Sequence, residues 1–111
     1  MTIKRPATGW KFERVTTHPG EILREEFLVP LGLSANALAM RLRIAAPRLH
    51  AILHQKRAVT PDTAMRLARC FGTSAQFWLN LQTMHDLSKA QQLGGAKVEL
   101  EVEPLKMTTA A

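Results

Sequence analysis

The sequence has little of what marks secreted, membrane-spanning or disulfide-bonded proteins. Its 111 residues include a single cysteine, Cys70, which excludes an internal disulfide and fits a reducing compartment. No apolar run approaches the roughly 20 residues needed to cross a bilayer, and the first residues lack the apolar core of a secretory signal. These absences predict a cytoplasmic protein.

The sequence also lacks the motifs of metal sites and active sites. It contains no CxxC or HExxH pattern, no phosphate-binding glycine loop and no nucleophile motif. His50 and His54 form a possible metal pair, but the other soft ligands, Cys70 and His85, fall in segments predicted to pack. We therefore expect no metal, no other cofactor and no catalytic activity, because 111 residues leave no room for a catalytic domain beside a helical one.

Positive charge, in contrast, is concentrated in one part of the chain. The formal net charge is +6. Residues 36–69 hold seven lysines and arginines against one acid, Asp62, whereas bases and acids balance in the rest of the sequence. Such a concentrated basic block indicates a polyanionic partner, and a merely solvated basic surface is the alternative.

Helical periodicity dominates the middle of the chain, where length and apolar content predict one domain with a modest core. Apolar residues recur at helical spacing in five segments. Helix 1 is predicted at about Glu21 to Val29, because Pro30 disfavours its continuation. The later helices are expected after the N-cap Ser34, over PRLHAILH, between Thr60 and Gly72, and after Thr73 or Ser74.

The two ends of the chain have other patterns. Residues 1–17 are polar and irregular, and they are predicted to form an N-terminal arm ahead of a helical domain over 18–93. The tail, 94–111, begins at a Gly-Gly pair, and KVELEVEP alternates apolar and acidic residues, which predicts a possible strand over 97–103. A lone strand leaves its backbone groups unpaired, so this one would need the edge of a second copy or of another protein, or would stay disordered.

Helices 2 and 3 form a helix-turn-helix candidate, because only a short link joins them. Ala39 is small where the two helices would cross, and Ile44 is an apolar turn residue. Leu49 and Ile52 would hold helix 3 against helix 2. This packing leaves the outer face of helix 3 free for the major groove of DNA.

Longer stretches resemble one family. The segments HPGEILREEFLVPLGLS, NALA and KRAVTPDTAMRLARCFGTSAQFWLNLQ are similar to the HigA-type antitoxins, which belong to the lambda-repressor-like (XRE) helix-turn-helix superfamily. The resemblance covers about two-thirds of the chain, within residues 18–93. It implies an all-α, five-helix domain and a homodimer that binds palindromic operator DNA and represses its own transcription. It also implies a partner toxin of the RelE-like HigB type, an mRNA-cleaving enzyme that the antitoxin neutralises.

Three residues depart from the usual family pattern. Arg43 replaces the glycine of the turn, His50 replaces a common asparagine in helix 3, and Gln55 replaces the glycine that closes helix 3. A left-handed conformation costs a non-glycine residue roughly 1 kcal/mol. Such a cost is tolerable, but it leaves the geometry of the turn open.

Helix 3 is expected to enter the major groove with its N-terminal half. There Arg48 could pair with guanine through two hydrogen bonds, worth roughly 1–3 kcal/mol of discrimination, and the small Ala46 and Pro47 would suit a thymine methyl. The predicted base-reading residues are Ala46, Pro47, Arg48, His50 and Ala51. The predicted phosphate contacts, which supply salt-dependent affinity, are Asn36, Arg41, Arg43, His54, Lys56 and Arg57.

The last predicted helix has a wider apolar side than a small core needs, so part of it is expected to face a second copy. The predicted dimer surface consists of Phe77, Trp78, Leu81 and Met84, with Val98, Leu100 and Val102 from the tail. Two alternatives to an antitoxin remain open. One is a stand-alone XRE-type transcriptional regulator without a toxin, and the other is a protein-interaction module whose helix-turn-helix has decayed at Arg43 and Gln55.

Overall fold

The computed structural model describes residues 14–106, which form five consecutive helices and contain no β-strand. Helix α1 has an α-helical start, Pro19–Ile22, a π-helical middle, Leu23–Leu28, and an α-helical end, Val29–Leu31. The other helices are α2, Ala35–Leu42, α3, Ala46–Leu53, α4, Pro61–Phe71, and α5, Ala75–Glu101. The all-α, five-helix prediction is confirmed. No helix in this part of the chain is both long and apolar enough to span a membrane.

Pro30 does not end α1, so that part of the sequence prediction was wrong. The helix instead widens ahead of the proline, and the backbone N–H of Val29 donates to the carbonyl of Arg24, five residues back. Proline has no N–H, and its ring collides with the carbonyl four residues earlier. A π-helical segment relieves such a conflict without ending the helix. The chain turns only at Gly32, whose φ is 60°.

Three of the later helices, α2, α4 and α5, begin where their capping residues predict. The side chains of Ser34, Thr60 and Ser74 each accept a hydrogen bond from a backbone N–H three residues ahead. Each cap satisfies an amide that the first turn of a helix would otherwise leave unpaired. Gly72, with a φ of 73°, ends α4 in the left-handed conformation that glycine adopts most readily.

The core lies where all five helices meet. Its largest fully buried side chains include Leu23, Leu49, Leu67 and Trp78, each of which contributes roughly 1.5–3 kcal/mol through burial. The ring of Phe27 lies 5.2 Å from that of Trp78, centroid to centroid. These apolar contacts join α1 to α5 beside α3, the helix that is predicted to read DNA.

The HPG motif at the start of α1 makes a close contact with the end of α3. His18 caps the helix, because its Nδ1 accepts the backbone N–H of Gly20 at 2.8 Å. A Cβ on Gly20 would stand 1.9 Å from the carbonyl oxygen of Ile52, so only glycine fits there. The imidazole of His18 is buried and packs edge-on against that of His85, with centroids 4.9 Å apart. This motif therefore fixes the position of α3 against α1 and α5.

Helix α5 runs unbroken through Gly94 and Gly95, so the predicted break and the predicted strand over 97–103 were both wrong. A helix satisfies its backbone groups internally, whereas the strand had no edge to pair with. Lys97 and Glu101, one turn apart, form an ion pair at 3.6 Å. Two glycines in a helix cost roughly 1 kcal/mol each, which the rest of this long helix offsets. Residues 102–106 have no regular secondary structure.

Part of the predicted N-terminal arm is docked on α5. The backbone N–H of Thr16 donates to Ser88 Oγ at 2.9 Å, and its carbonyl accepts a hydrogen bond from His85 Nδ1 at 2.7 Å. Residues 1–13 of the arm lie outside the described part of the chain, as does the end of the predicted tail, residues 107–111.

Candidate nucleic-acid interface

The turn between α2 and α3 keeps a regular geometry without glycine. Arg43 adopts a φ of 59°, and its backbone N–H donates to the Met40 carbonyl at 3.2 Å. The Ile44 N–H donates to the Ala39 carbonyl at 3.1 Å, which closes the end of α2. Arg66 on α4 adds a hydrogen bond from Nη1 to the Leu42 carbonyl at 2.9 Å. These hydrogen bonds offset the roughly 1 kcal/mol cost of a left-handed arginine.

The end of α3 follows the same pattern. Gln55 has a φ of 62°, and its N–H donates to the Ile52 carbonyl at 3.0 Å. The Lys56 N–H donates to the Ala51 carbonyl at 2.8 Å. Both positions that usually carry glycine in the family therefore adopt the conformation that glycine would favour.

Helix α3 has one buried and one outward side. Leu49, Ile52 and Leu53 are buried in the core. The outward side presents two exposed residues from the predicted base-reading set, Pro47 and His50, with Ala46 and Ala51 partly exposed. His54, predicted as a phosphate contact, is also exposed at the end of this helix.

Arg48 lies apart from the other candidates, because its guanidinium packs against the start of α4. Its Nη2 donates to Thr60 Oγ1 at 3.1 Å and to Thr63 Oγ1 at 2.5 Å. The carboxylate of Asp62 lies 3.7 Å from the same nitrogen. The Arg48 side chain is only 26% exposed, so in this structure it bridges two helices.

Two histidines and an asparagine form a hydrogen-bonded row across α2 and α3. Asn36 Oδ1 accepts a hydrogen bond from His50 Nε2 at 3.1 Å. His54 Nδ1 donates to the His50 carbonyl at 2.8 Å, and the two imidazole rings are roughly parallel with centroids 6.4 Å apart. Because the acceptor in the first bond is a side-chain oxygen, the Asn36 amide nitrogen is left to donate elsewhere.

A groove of about 800 Å³ between α2 and α4 is lined by four arginines. Arg41 and Arg43 were predicted as phosphate contacts, and the structure adds Arg66 and Arg69 beside them. The sequence signal for this addition is their spacing of three residues, which places them on one side of α4. Asp62 reduces the local charge, because it forms an ion pair with Arg66 at 2.9 Å.

The loop after α3 carries Lys56 and Arg57, both exposed. The loop is held by the Val59 N–H, which donates to the buried Gln82 Oε1 on α5 at 2.8 Å. The start of the loop is held by the Gln55 N–H, which donates to the Ile52 carbonyl at 3.0 Å. Two predicted phosphate contacts therefore stand on a loop with fixed ends.

The predicted dimer residues have unequal exposure. Trp78 is fully buried, and its Nε1 donates to Thr73 Oγ1 at 2.7 Å, so its side chain offers no surface to a second copy. Phe77 and Met84 are 38% and 45% exposed, and Leu87, which the sequence analysis omitted, is 47% exposed. The remaining members are Leu81, partly exposed, and Val98, Leu100 and Val102, all exposed.

Cys70 was expected to pack but is exposed, so that prediction was wrong. It lies in the arginine-lined groove of α2 and α4, because its position on α4 falls outside the apolar stripe. Among residues 14–106, no three His, Cys, Asp or Glu side chains converge as a metal site.

Comparison with known proteins places these features in a family. The Helix-turn-helix family profile matches residues 23–78. Virulence-associated protein I of Dichelobacter nodosus is 54% identical over 82 residues, which cover 74% of this chain and 76% of that protein.

Two solved structures share the fold. One is the Pseudomonas aeruginosa antitoxin HigA with higBA promoter, with a TM-score of 0.78 and 47% identity over 80% of this chain and 97% of that one. The other is an addiction module antidote protein of the HigA family from Coxiella burnetii, with a TM-score of 0.78 and 49% identity over 83% of this chain and 99% of that one. The chain therefore belongs to the helix-turn-helix family, among its HigA-type antitoxin members.

Proposed function

We propose that this protein is an antitoxin and transcriptional autorepressor whose homodimer binds palindromic operator DNA through α3. The observation that carries the proposal is the outward side of α3, where Pro47 and His50 are exposed between basic groups on both flanks. A helix presented in this way fits the major groove. The similar HigA of Pseudomonas aeruginosa was solved with promoter DNA, which supports the same partner here.

Base reading is assigned to the small and neutral side chains of α3. Ala46, Pro47 and Ala51 allow close approach and apolar contact with thymine methyl groups, and His50 offers hydrogen bonds to base edges. Arg48 would need to leave Thr60 and Thr63 before it could read guanine. We therefore assign Arg48 the role of holding α3 against α4.

Phosphate binding is assigned to the groups that flank α3. On one side the free amide N–H groups of Asn36 lie at the positive N-terminal end of α2, which favours an anion. The other contributors are Arg41, Arg43, His54, Lys56 and Arg57, joined by Arg66 and Arg69. Such contacts fix the position of the protein on DNA and make its affinity depend on salt.

A second copy is required because one α3 reads only half of a palindrome. Two recognition helices spaced about 34 Å apart would meet successive turns of the major groove on one side of the duplex. The exposed apolar side chains Phe77, Met84 and Leu87 offer a surface for this dimer. Replacing Met84 with lysine should lower the dimer fraction in sedimentation equilibrium, whereas Met65→Lys, at a more exposed methionine on α4, should leave it unchanged.

Operator binding is tested with a duplex from the promoter upstream of the protein's own gene. His50→Ala and Pro47→Asp should each reduce the preference for this duplex over an unrelated one by at least tenfold in fluorescence anisotropy, with the fold unchanged by circular dichroism. Lys97→Ala, at the far end of α5, is the control. A preference unaffected by either change in α3 would refute this helix as the reader.

The toxin partner is proposed to be a RelE-like HigB protein encoded beside this one. The proposal rests on membership among the HigA-type antitoxins and on no contact within this chain. Co-expression should restore growth to cells that carry the neighbouring gene, and the two proteins should co-purify. If the neighbour is unrelated to RelE and does not bind, the protein is a stand-alone XRE-type regulator.

The regular geometry at Arg43 and Gln55 argues against a decayed motif, because both residues keep the hydrogen bonds that close their helices. A protein-interaction module without DNA binding remains testable in the same anisotropy experiment. Equal affinity for the promoter duplex and for an unrelated duplex would favour it.

A further inference from the structure

His54 is held in one tautomer by its own helix. It caps the C-terminal end of α3, and its Nδ1 lies 2.8 Å from the carbonyl oxygen of His50. A carbonyl oxygen can only accept, so Nδ1 carries the hydrogen. In a neutral imidazole the other nitrogen, Nε2, is then an acceptor without a hydrogen.

This tautomer conflicts with a phosphate contact in the neutral state. Phosphate oxygens in DNA are acceptors, and a bare Nε2 has nothing to donate to them. We infer that His54 binds a backbone phosphate only as the imidazolium, so that each protomer takes up one proton when it binds DNA. The inference rests on the proposed function and adds that DNA binding is coupled to proton uptake.

The position of His54 favours the charged form on DNA. The last turn of a helix carries partial negative charge on its unpaired carbonyls, which stabilises a cation there, and an adjacent phosphate adds to this attraction. The opposing groups are His50 on α3, Arg24 on α1, which lines a second groove together with His50 and His54, and Lys56 and Arg57 in the following loop. Arg24 is already paired with Glu25 at 3.1 Å, which weakens its repulsion.

A neutral His54 would have one other use, as an acceptor for the exocyclic amine of adenine or cytosine. The N-terminal half of a recognition helix faces the bases, whereas His54 lies at the opposite end. The geometry therefore favours phosphate. The two roles predict opposite signs for the change of affinity with pH.

The test measures affinity for the promoter duplex at constant salt between pH 8.0 and pH 6.5. Because each protomer takes up one proton on binding, wild-type affinity should rise as the pH falls, by at most about tenfold per protomer for each pH unit. His54→Gln should lose this rise, and His54→Lys should bind equally well at both ends of the range. The matched control, His50→Gln, should keep the rise.

An equal rise in His54→Gln and the wild type would overturn the inference, and so would an affinity that falls toward pH 6.5. Specific binding that is independent of pH would overturn the inference while leaving the proposed function intact. No preference for the promoter duplex at any pH would instead overturn both. Thermal unfolding at each pH shows whether every variant is folded under the conditions of the measurement.

Discussion

The backbone of Gly20 lies directly against the carbonyl of Ile52, so closely that a Cβ on residue 20 would stand 1.9 Å from the carbonyl oxygen. The contact joins the first turn of α1 to the last turn of α3. Because backbone atoms are on both sides, neither can move aside as a side chain would. The position of the proposed recognition helix therefore depends on the absence of a side chain at residue 20.

Gly20→Ala should destabilise the fold by about 1–3 kcal/mol or more, since the added methyl group forces α1 and α3 apart. Urea unfolding followed by circular dichroism measures the change. Gly95→Ala is the matched control, because its Cβ would meet nothing closer than 3.8 Å, and alanine in a helix should add about 0.5–1 kcal/mol. Equal effects of the two substitutions would show that the close contact with Ile52 is unimportant.

The stability of the fold should decrease in mild acid because of His18. Burial, followed by the nearby His85, lowers the pKa of His18 below its usual 6.5, and the neutral Nδ1 is needed to accept the Gly20 N–H. The unfolded chain therefore binds this proton more readily, so the contribution of His18 is present above about pH 6.5 and is lost as the pH falls toward the lowered value.

His18→Asn supplies the comparison, since asparagine also caps helices but does not titrate. Its free energy of unfolding should fall less between pH 7 and pH 5 than that of the wild type, in urea titrations at each pH. Parallel curves for the two proteins would show that His18 does not cause the acid sensitivity.

Arg48→Met should lower stability by about 1.5–3 kcal/mol, because it removes charge-assisted hydrogen bonds to Thr60 and Thr63. Its effect on base preference should be small, as the side chain holds α3 against α4. Selection of binding sites from a random duplex pool distinguishes a structural role from a reading role. If Arg48→Met instead loses a guanine preference that the wild type shows at one position of the half-site, Arg48 contacts a base.

Arg43→Gly should have opposite effects on stability and on DNA binding. Glycine removes the roughly 1 kcal/mol cost of a left-handed side chain, so the unfolding midpoint should increase. Loss of one phosphate contact should also reduce the slope of log affinity against log salt by about 1. Lys97→Ala should leave that slope unchanged, and an unaltered slope in Arg43→Gly would remove Arg43 from the phosphate contacts.

Local chemistry within a few residues determined much of this fold. Ser34, Thr60 and Ser74 each cap a helix by accepting an N–H three residues away, and Gly72 ends α4 in the conformation that its lack of a side chain allows. Such interactions need no distant partner. The sequence alone therefore predicted the helix starts, the helix-turn-helix and the outward side of α3.

Contacts between distant segments decided the rest. Arg48 turns toward Thr60 and Thr63, which are 12 and 15 residues away, and its position on α3 gave no sign of them. The alternation of apolar and acidic residues in KVELEVEP also predicted a strand, but a strand needs a neighbouring strand to pair with. Residues 14–106 contain no such strand, and the backbone instead continues α5 to Glu101. The sequence determined which residues can face DNA, and only tertiary packing decided which of them remain available to do so.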